Sequence, residues 1–212
     1  EPLLLARCAP CLVSTDRPAG ARAAAANGAQ VIVMDDGFQN PSIQKALSLV
    51  VVDGGYGFGN CRVIPAGPLR EPIKDGLKRA DAIISIGPPF LEIDTEKPVL
   101  RAKMLPVCRD EIAEKRVIAF AGIGRPEKFF ESLRQLGAEV ISTHSFPDHH
   151  PYSIREIETI LAKKTRDEDL IVTTEKDMVR LPPMTLKSII AIPVEIKWEN
   201  EELIEALLGE VT

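Results

Sequence analysis

The chain has 212 residues, 45% of them hydrophobic and 27% charged, and a formal net charge of −5. Such a balance supplies apolar material for real cores in two small domains, and its acidic sum argues against a nucleic-acid partner, whose phosphates call for a basic surface. No apolar run reaches the roughly 18 residues of a membrane span and no signal peptide opens the chain, while Cys8, Cys11, Cys61 and Cys108 are too few and scattered for a disulfide scaffold and fit a reducing compartment.

In chain order, Arg17 to Asn27 is an alanine-rich helical segment, and residues 31 to 34 (VIVM) and 47 to 52 (LSLVVV) are short apolar strands. Further strands are expected at 82 to 86 (AIISI), 117 to 121 (VIAFA), 139 to 142 (EVIS), 170 to 174 (LIVTT) and 189 to 194 (IIAIPV). Their continuous β-branched character suits strands covered on both faces. Between them, Pro126 to Leu136 places Phe129, Phe130, Leu133 and Leu136 on one helical face, with Pro126 near the first turn and Gly137 just past the end. Ser153 and Glu156 have capping-box spacing ahead of Ile157, Ile160 and Leu161. This alternation predicts an α/β protein of two α/β/α layered units with mostly parallel sheets. The charged stretch RDEIAEKR marks the division, giving domains 1–105 and 106–212.

Two stretches carry candidate chemistry. VIVMDDGFQN runs an apolar strand into Asp35 and Asp36, and in an open parallel sheet ligands gather at the carboxyl ends of the strands. An acidic strand end suits Mg²⁺ beside transferring phosphates, and it equally suits a turn, for which Asp-Gly is common chemistry. GYGFGNCRVIPAGPLREP, residues 55 to 72, follows a strand ending at Asp53 and leads into a helix carrying Arg70 and Glu71. The amides of Gly55, Gly57 and Gly59 would approach an anion and Arg70 would hold a phosphate by its fork; the spacing is no dinucleotide fingerprint. Cys8 and Cys11 form a C-x-x-C with no second ligand pair to complete a zinc site.

DDGFQ, VVVDGGYGFGN, PAGPLREP, AFAGIGRPEKFF, FPDHHPYS and TTEKD, in this order, resemble the tetraacyldisaccharide 4'-kinase family of the lipid A pathway from Glu1 to the last strand. The resemblance implies a P-loop NTPase-like first unit, lacking its N-terminal part, and a C-terminal α/β domain closing the active-site cleft. It implies transfer of the γ-phosphate of ATP, with Mg²⁺, to the 4'-hydroxyl of a lipid disaccharide 1-phosphate at the cytoplasmic face of the inner membrane. Family members carry a membrane-associated N-terminal helix, a Walker A loop and a G-D-E-P segment with a proposed catalytic base. This chain opens at the E-P of that segment and contains no G-x-x-x-x-G-K-[ST]. The expectation is therefore a soluble, cytoplasmic polypeptide that is inactive alone, less stable than an intact relative and prone to association through uncovered apolar surface.

By the resemblance, Asp35 and Asp36 match the Walker B-like pair that coordinates Mg²⁺, Gln39 orients a phosphate or substrate group, and Arg70 and Glu71 lie near the phosphates. His149 matches an active-site histidine, with Asp148 fixing its tautomer. Asn40 stands where the family commonly has His. Gly122 and Gly124 precede a helix N-terminus that would face nucleotide phosphate or serve a hinge, or else make a tight strand-to-helix turn. Arg70 with Glu71 also reads as a surface pair, and His149 with His150 as loop residues satisfying backbone groups. Glu175, Lys176 and Asp177 end a strand without separable roles. Two other readings remain: a metal-dependent phosphoesterase built on Asp148, His149 and His150 with Asp35, Asp36 and Asp53 upstream, and a non-catalytic remnant.

Overall fold

The computed structural model describes residues 2–88, 95–107, 109–209 and 211. They form two α/β units, one comprising Leu12–Met104 with Ile196–Thr212, the other Leu105–Glu195 with Glu1–Cys11. Cys108 lies outside the described residues.

In the unit that begins at Leu12, α1 (Arg17–Ala26) starts at Asp16, whose carboxylate accepts the Ala19 N–H at 2.9 Å. Strands β1 (Leu49–Asp53), β2 (Ala82–Ile86) and β3 (Val99–Pro106) form a sheet, parallel between β1 and β2 and between β2 and β3. Helix α2 (Ile73–Arg79) connects β1 to β2. Arg70 and Glu71 therefore lie in the loop before this helix, not on it as the sequence suggested; Pro72 sits at its N-cap, a residue that cannot continue a helix backward.

Segment 31–34 is not a strand. A strand exists only through its ladder, and these residues pair with none of the sheet strands, leaving Val33 91% exposed. Asp35 and Asp36 thus follow an unpaired apolar segment rather than a sheet strand. Strand β3 (Val99–Pro106) was unforeseen because VLRAKMLP mixes charge with apolar residues.

The other unit contains a sheet of β4 (Arg116–Ala121), β5 (Glu139–Ser145), β6 (Leu170–Thr174) and β7 (Ile190–Ile192), in the spatial order β5-β4-β6-β7 and parallel throughout. Helix α3 (Pro126–Gln135) joins β4 to β5 and α4 (Ile154–Leu161) joins β5 to β6. The two helices cover opposite faces: Phe129, Phe130 and Leu133 pack on Val117, Ala119 and Val172, whereas Ile157 and Ile160 pack on Ile118, Phe120 and Ile171. Covering both faces explains the unbroken apolar run of β4. The Ser153–Glu156 capping box starts α4 as expected. Because the connections leave β4 and β6 on opposite sides, the carboxyl ends of these neighbouring strands form a topological switch point.

The expected domain 106–212 does not hold at its end. Pro193 interrupts the run 189–194, and the chain continues into β8 (Val194–Trp198), which lies beside β3 in the sheet of the other unit. Helix α5 (Glu201–Gly209) follows, with Ile204 and Leu207 packed on Ile84 and Leu100. The apolar face of that sheet needs a covering helix, and the C-terminal segment supplies it.

Candidate active site

Asp36, Gln39, Arg70 and Glu71, drawn from two loops more than 30 residues apart, form one hydrogen-bonded array. Asp36 occupies the left-handed region with φ 48°, a conformation that Asp tolerates better than most residues. Arg70 donates to both of its carboxylate oxygens, and Nη1 lies 3.5 Å from Gln39 Oε1. Gln39 Nε2 donates to Glu71 Oε1 at 3.2 Å, and Arg79 Nη2 donates to the same oxygen at 2.7 Å. The Arg79 guanidinium lies 5.2 Å from the centre of the Phe38 ring. Hydrogen bonding from Arg79, with a smaller contribution from Gln39, holds the Glu71 carboxyl below the usual range against some desolvation. The backbone carbonyl of Asp35 accepts from Arg17 Nη1 at 3.2 Å, anchoring the same turn to α1.

The glycine-rich loop delivers Arg70 but is not the anion cradle expected. Gly55 N–H donates to Asp53 Oδ1, Gly57 N–H to the Asp53 carbonyl and Gly59 N–H to the Tyr56 carbonyl, so these amides are spent within the loop. A further tie joins Ile64 N–H to the Leu69 carbonyl and Leu69 N–H to the Arg62 carbonyl. Gly67 permits this closure, because a Cβ there would lie 2.1 Å from Asn60 Oδ1 and 2.4 Å from the Arg62 carbonyl oxygen. Asn40 makes an Asx-type turn, accepting the Ser42 N–H at 2.9 Å.

Gly122, Gly124 and His149 belong to the other unit, where they gather at the switch point. Gly122 N–H donates to both oxygens of Asp177 at 3.1 Å, and its carbonyl accepts from His149 N–H at 3.1 Å and Arg180 Nη1 at 3.1 Å. Asp177, fully buried, also accepts from Tyr152 Oη at 2.9 Å and Thr174 Oγ1 at 2.7 Å. Burial, followed by the adjacent Asp177 carboxylate, pushes the Tyr152 hydroxyl far above its ordinary range, so it stays a neutral donor. His149 itself is exposed and adopts φ 59°; its ring Nε2 lies 3.7 Å from Asp148 Oδ2, and its N–H also donates to Asp148 Oδ1 at 3.0 Å. His150 serves packing: it contacts Glu156 at 3.0 Å and stacks 4.8 Å from Phe146. Among the described residues no group of three or more His, Cys, Asp and Glu side chains could hold a metal ion, and Cys8, Cys11 and Cys61 are free thiols.

A family described as tetraacyldisaccharide-1-P 4'-kinase matches residues 1–212. The chain belongs to that kinase family. It is 50% identical to the tetraacyldisaccharide 4'-kinase of Rhodospirillum centenum over 99% of its own length and 64% of the relative's. Against the corresponding kinase of Paramagnetospirillum magneticum it is 50% identical over 100% of its length and 67% of the relative's. The crystal structure of LpxK from Aquifex aeolicus in complex with ATP superposes with a TM-score of 0.75 at 28% identity, covering 99% of this chain and 68% of that one. The chain thus spans about two thirds of the 4'-kinases that it matches, and its α/β architecture is that of the kinase fold.

Tyr152 and Arg180 escaped the sequence reading, and Asp177 was noticed without a role. TTEKD did carry a signal: a Thr three residues before an Asp at a strand end is N-cap chemistry, and Thr174 does accept the Asp177 N–H at 3.1 Å. That Gly122 would share this Asp depends on strand order, which the sequence does not spell out.

Proposed function

We propose that this chain provides the acidic-pair portion and the second α/β unit of a lipid A 4'-kinase, which transfers the γ-phosphate of ATP to the 4'-hydroxyl of tetraacyldisaccharide 1-phosphate at the cytoplasmic face of the inner membrane. The observation that carries this reading is the array joining Asp36 and Gln39 to Arg70 and Glu71, in a chain whose whole length matches the kinase family. Peripheral membrane association would come through the family's N-terminal helix; no helix among the described residues is long and apolar enough to cross a membrane.

The donor set suits Mg²⁺. Asp35 and Asp36 are exposed, hard oxygen donors, and Mg²⁺ is commonly held by one or two carboxylates with water and substrate phosphates completing its shell. Bound there, Mg²⁺ would neutralise charge on the transferring phosphate. Arg70 would exchange one carboxylate contact for a phosphate oxygen, while Gln39, itself bonded to Glu71, keeps its contact with the guanidinium. His149 would act as a proton carrier, with Asp148 fixing its ring. Phosphoryl transfer relies on positioning and charge stabilisation, and these 212 residues include no Walker A sequence. The polypeptide alone should therefore bind MgATP too weakly for calorimetry to detect when folded. Micromolar binding that Asp35→Ala and Asp36→Ala abolish would mean that the site is complete without a phosphate loop, and the reading would need revision.

A further inference from the structure

Three loops of the sheet β5-β4-β6-β7 converge on one glycine. The turn after β4 supplies Gly122, the loop after β5 supplies His149, and the segment after β6 supplies Asp177 and Arg180. The Gly122 N–H is held by Asp177 and its carbonyl by His149 N–H and Arg180. There is no room for a side chain at Gly122: a Cβ would lie 2.8 Å from Tyr152 Oη, 3.1 Å from the Pro147 carbonyl oxygen and 3.2 Å from Asp177 Oδ1. Every named neighbour of the Asp177 carboxylate is a donor: Gly122 N–H, Tyr152 Oη, Thr174 Oγ1 and Arg180 Nη1. An amide would replace one acceptor with a donor aimed at another donor, so this cage selects Asp over Asn. Asp177 has no exposed surface through which to meet a ligand.

We propose that Asp177 is a positioning residue for the phosphate transfer: its buried carboxylate locks the glycine turn to the loop bearing His149, fixing how His149 is presented without touching substrate. This assignment rests on the proposed role of His149, but its geometric core is independent of nucleotide and lipid. The left-handed backbone at His149 (φ 59°) is disfavoured for most side chains and persists only where neighbours over-determine it. Among the described contacts, the bond from its N–H to Gly122 is the tie that Asp177 underwrites.

The test is amide hydrogen exchange and a histidine NMR titration on the 212-residue chain, comparing Asp177→Asn with Asp169→Asn. Asp169 is an equally buried carboxylate of the same unit, bonded to Arg116, Thr165 and Arg166 before β6 and so at the opposite end of the strands. Both variants should lose stability, since each disturbs a buried, hydrogen-bonded carboxylate. Only Asp177→Asn should speed exchange at Gly122 and His149, by about tenfold or more beyond the global change, and displace the His149 ring titration. If Asp177→Asn does not fold, Tyr152→Phe removes one donor while the other three remain, and should shift the Gly122 and His149 amide resonances. Equal behaviour of the two Asp variants would overturn the assignment, as would unmoved Gly122 and His149 signals in Tyr152→Phe. Altered loop signals in a chain that binds MgATP at micromolar affinity would leave the assignment intact and count against the proposed function alone.

Discussion

Arg70 grips Asp36 through its guanidinium fork, with Nη1 3.1 Å from both carboxylate oxygens and Nη2 3.1 Å from Oδ2. Both side chains are more than half exposed, at 58% and 63%. An exposed pair of this kind contributes little to folding, because water screens the charges and ordering two side chains costs entropy. Arg70→Ala should therefore change stability in urea by less than ~1 kcal/mol. A loss of several kcal/mol would show that the pair holds the two loops together and is not available for exchange with a phosphate.

Arg79 stands behind the array, contacting both Glu71 and the Phe38 ring. Its hydrogen bond is the principal cause of the lowered Glu71 carboxyl pKa. Removing it with Arg79→Ala should let the Glu71 titration rise toward the ordinary Glu range, as read by carboxyl ¹³C NMR. An unchanged Glu71 titration would mean that Arg79 does not reach Glu71 in solution.

Acid should weaken the unit built on β4 through Asp169. Its carboxyl is held well below the ordinary range, first by the Arg116 hydrogen bond and then by bonds from Thr165 and Arg166, against desolvation. A depressed folded-state pKa means that the unfolded chain takes up the proton first. The contribution is present above the unfolded pKa of about 4 and is lost as pH falls further toward the folded value. Thermal unfolding from pH 7 to pH 3 should therefore show a Tm falling below about pH 4, with a shallower fall for Asp169→Asn.

Most of the second unit was legible because local and global signals agree there. The continuous apolar run of β4, the apolar face of α3 and the capping box of α4 each report their element directly, since both sheet faces are covered by adjacent helices. The first unit was harder. Val31 to Met34 has strand composition but no ladder, while β3 has a ladder but mixed composition. The meeting of Asp36, Gln39, Arg70 and Glu71 was expected from motif resemblance and not from spacing, because loop closure around Gly67 sets it. The Asp177 hub was least legible, since it depends on β4 and β6 being neighbours.

The most direct measurement combines this chain with a polypeptide carrying the part of the Rhodospirillum centenum kinase outside the matched 64% of its length, where the proposed function places the phosphate loop. Transfer of labelled phosphate from ATP to tetraacyldisaccharide 1-phosphate is then followed with Mg²⁺ present. The account predicts product from the pair, none from either polypeptide alone, and loss of product with Asp36→Ala. No product from a pair shown by sedimentation to associate would contradict it.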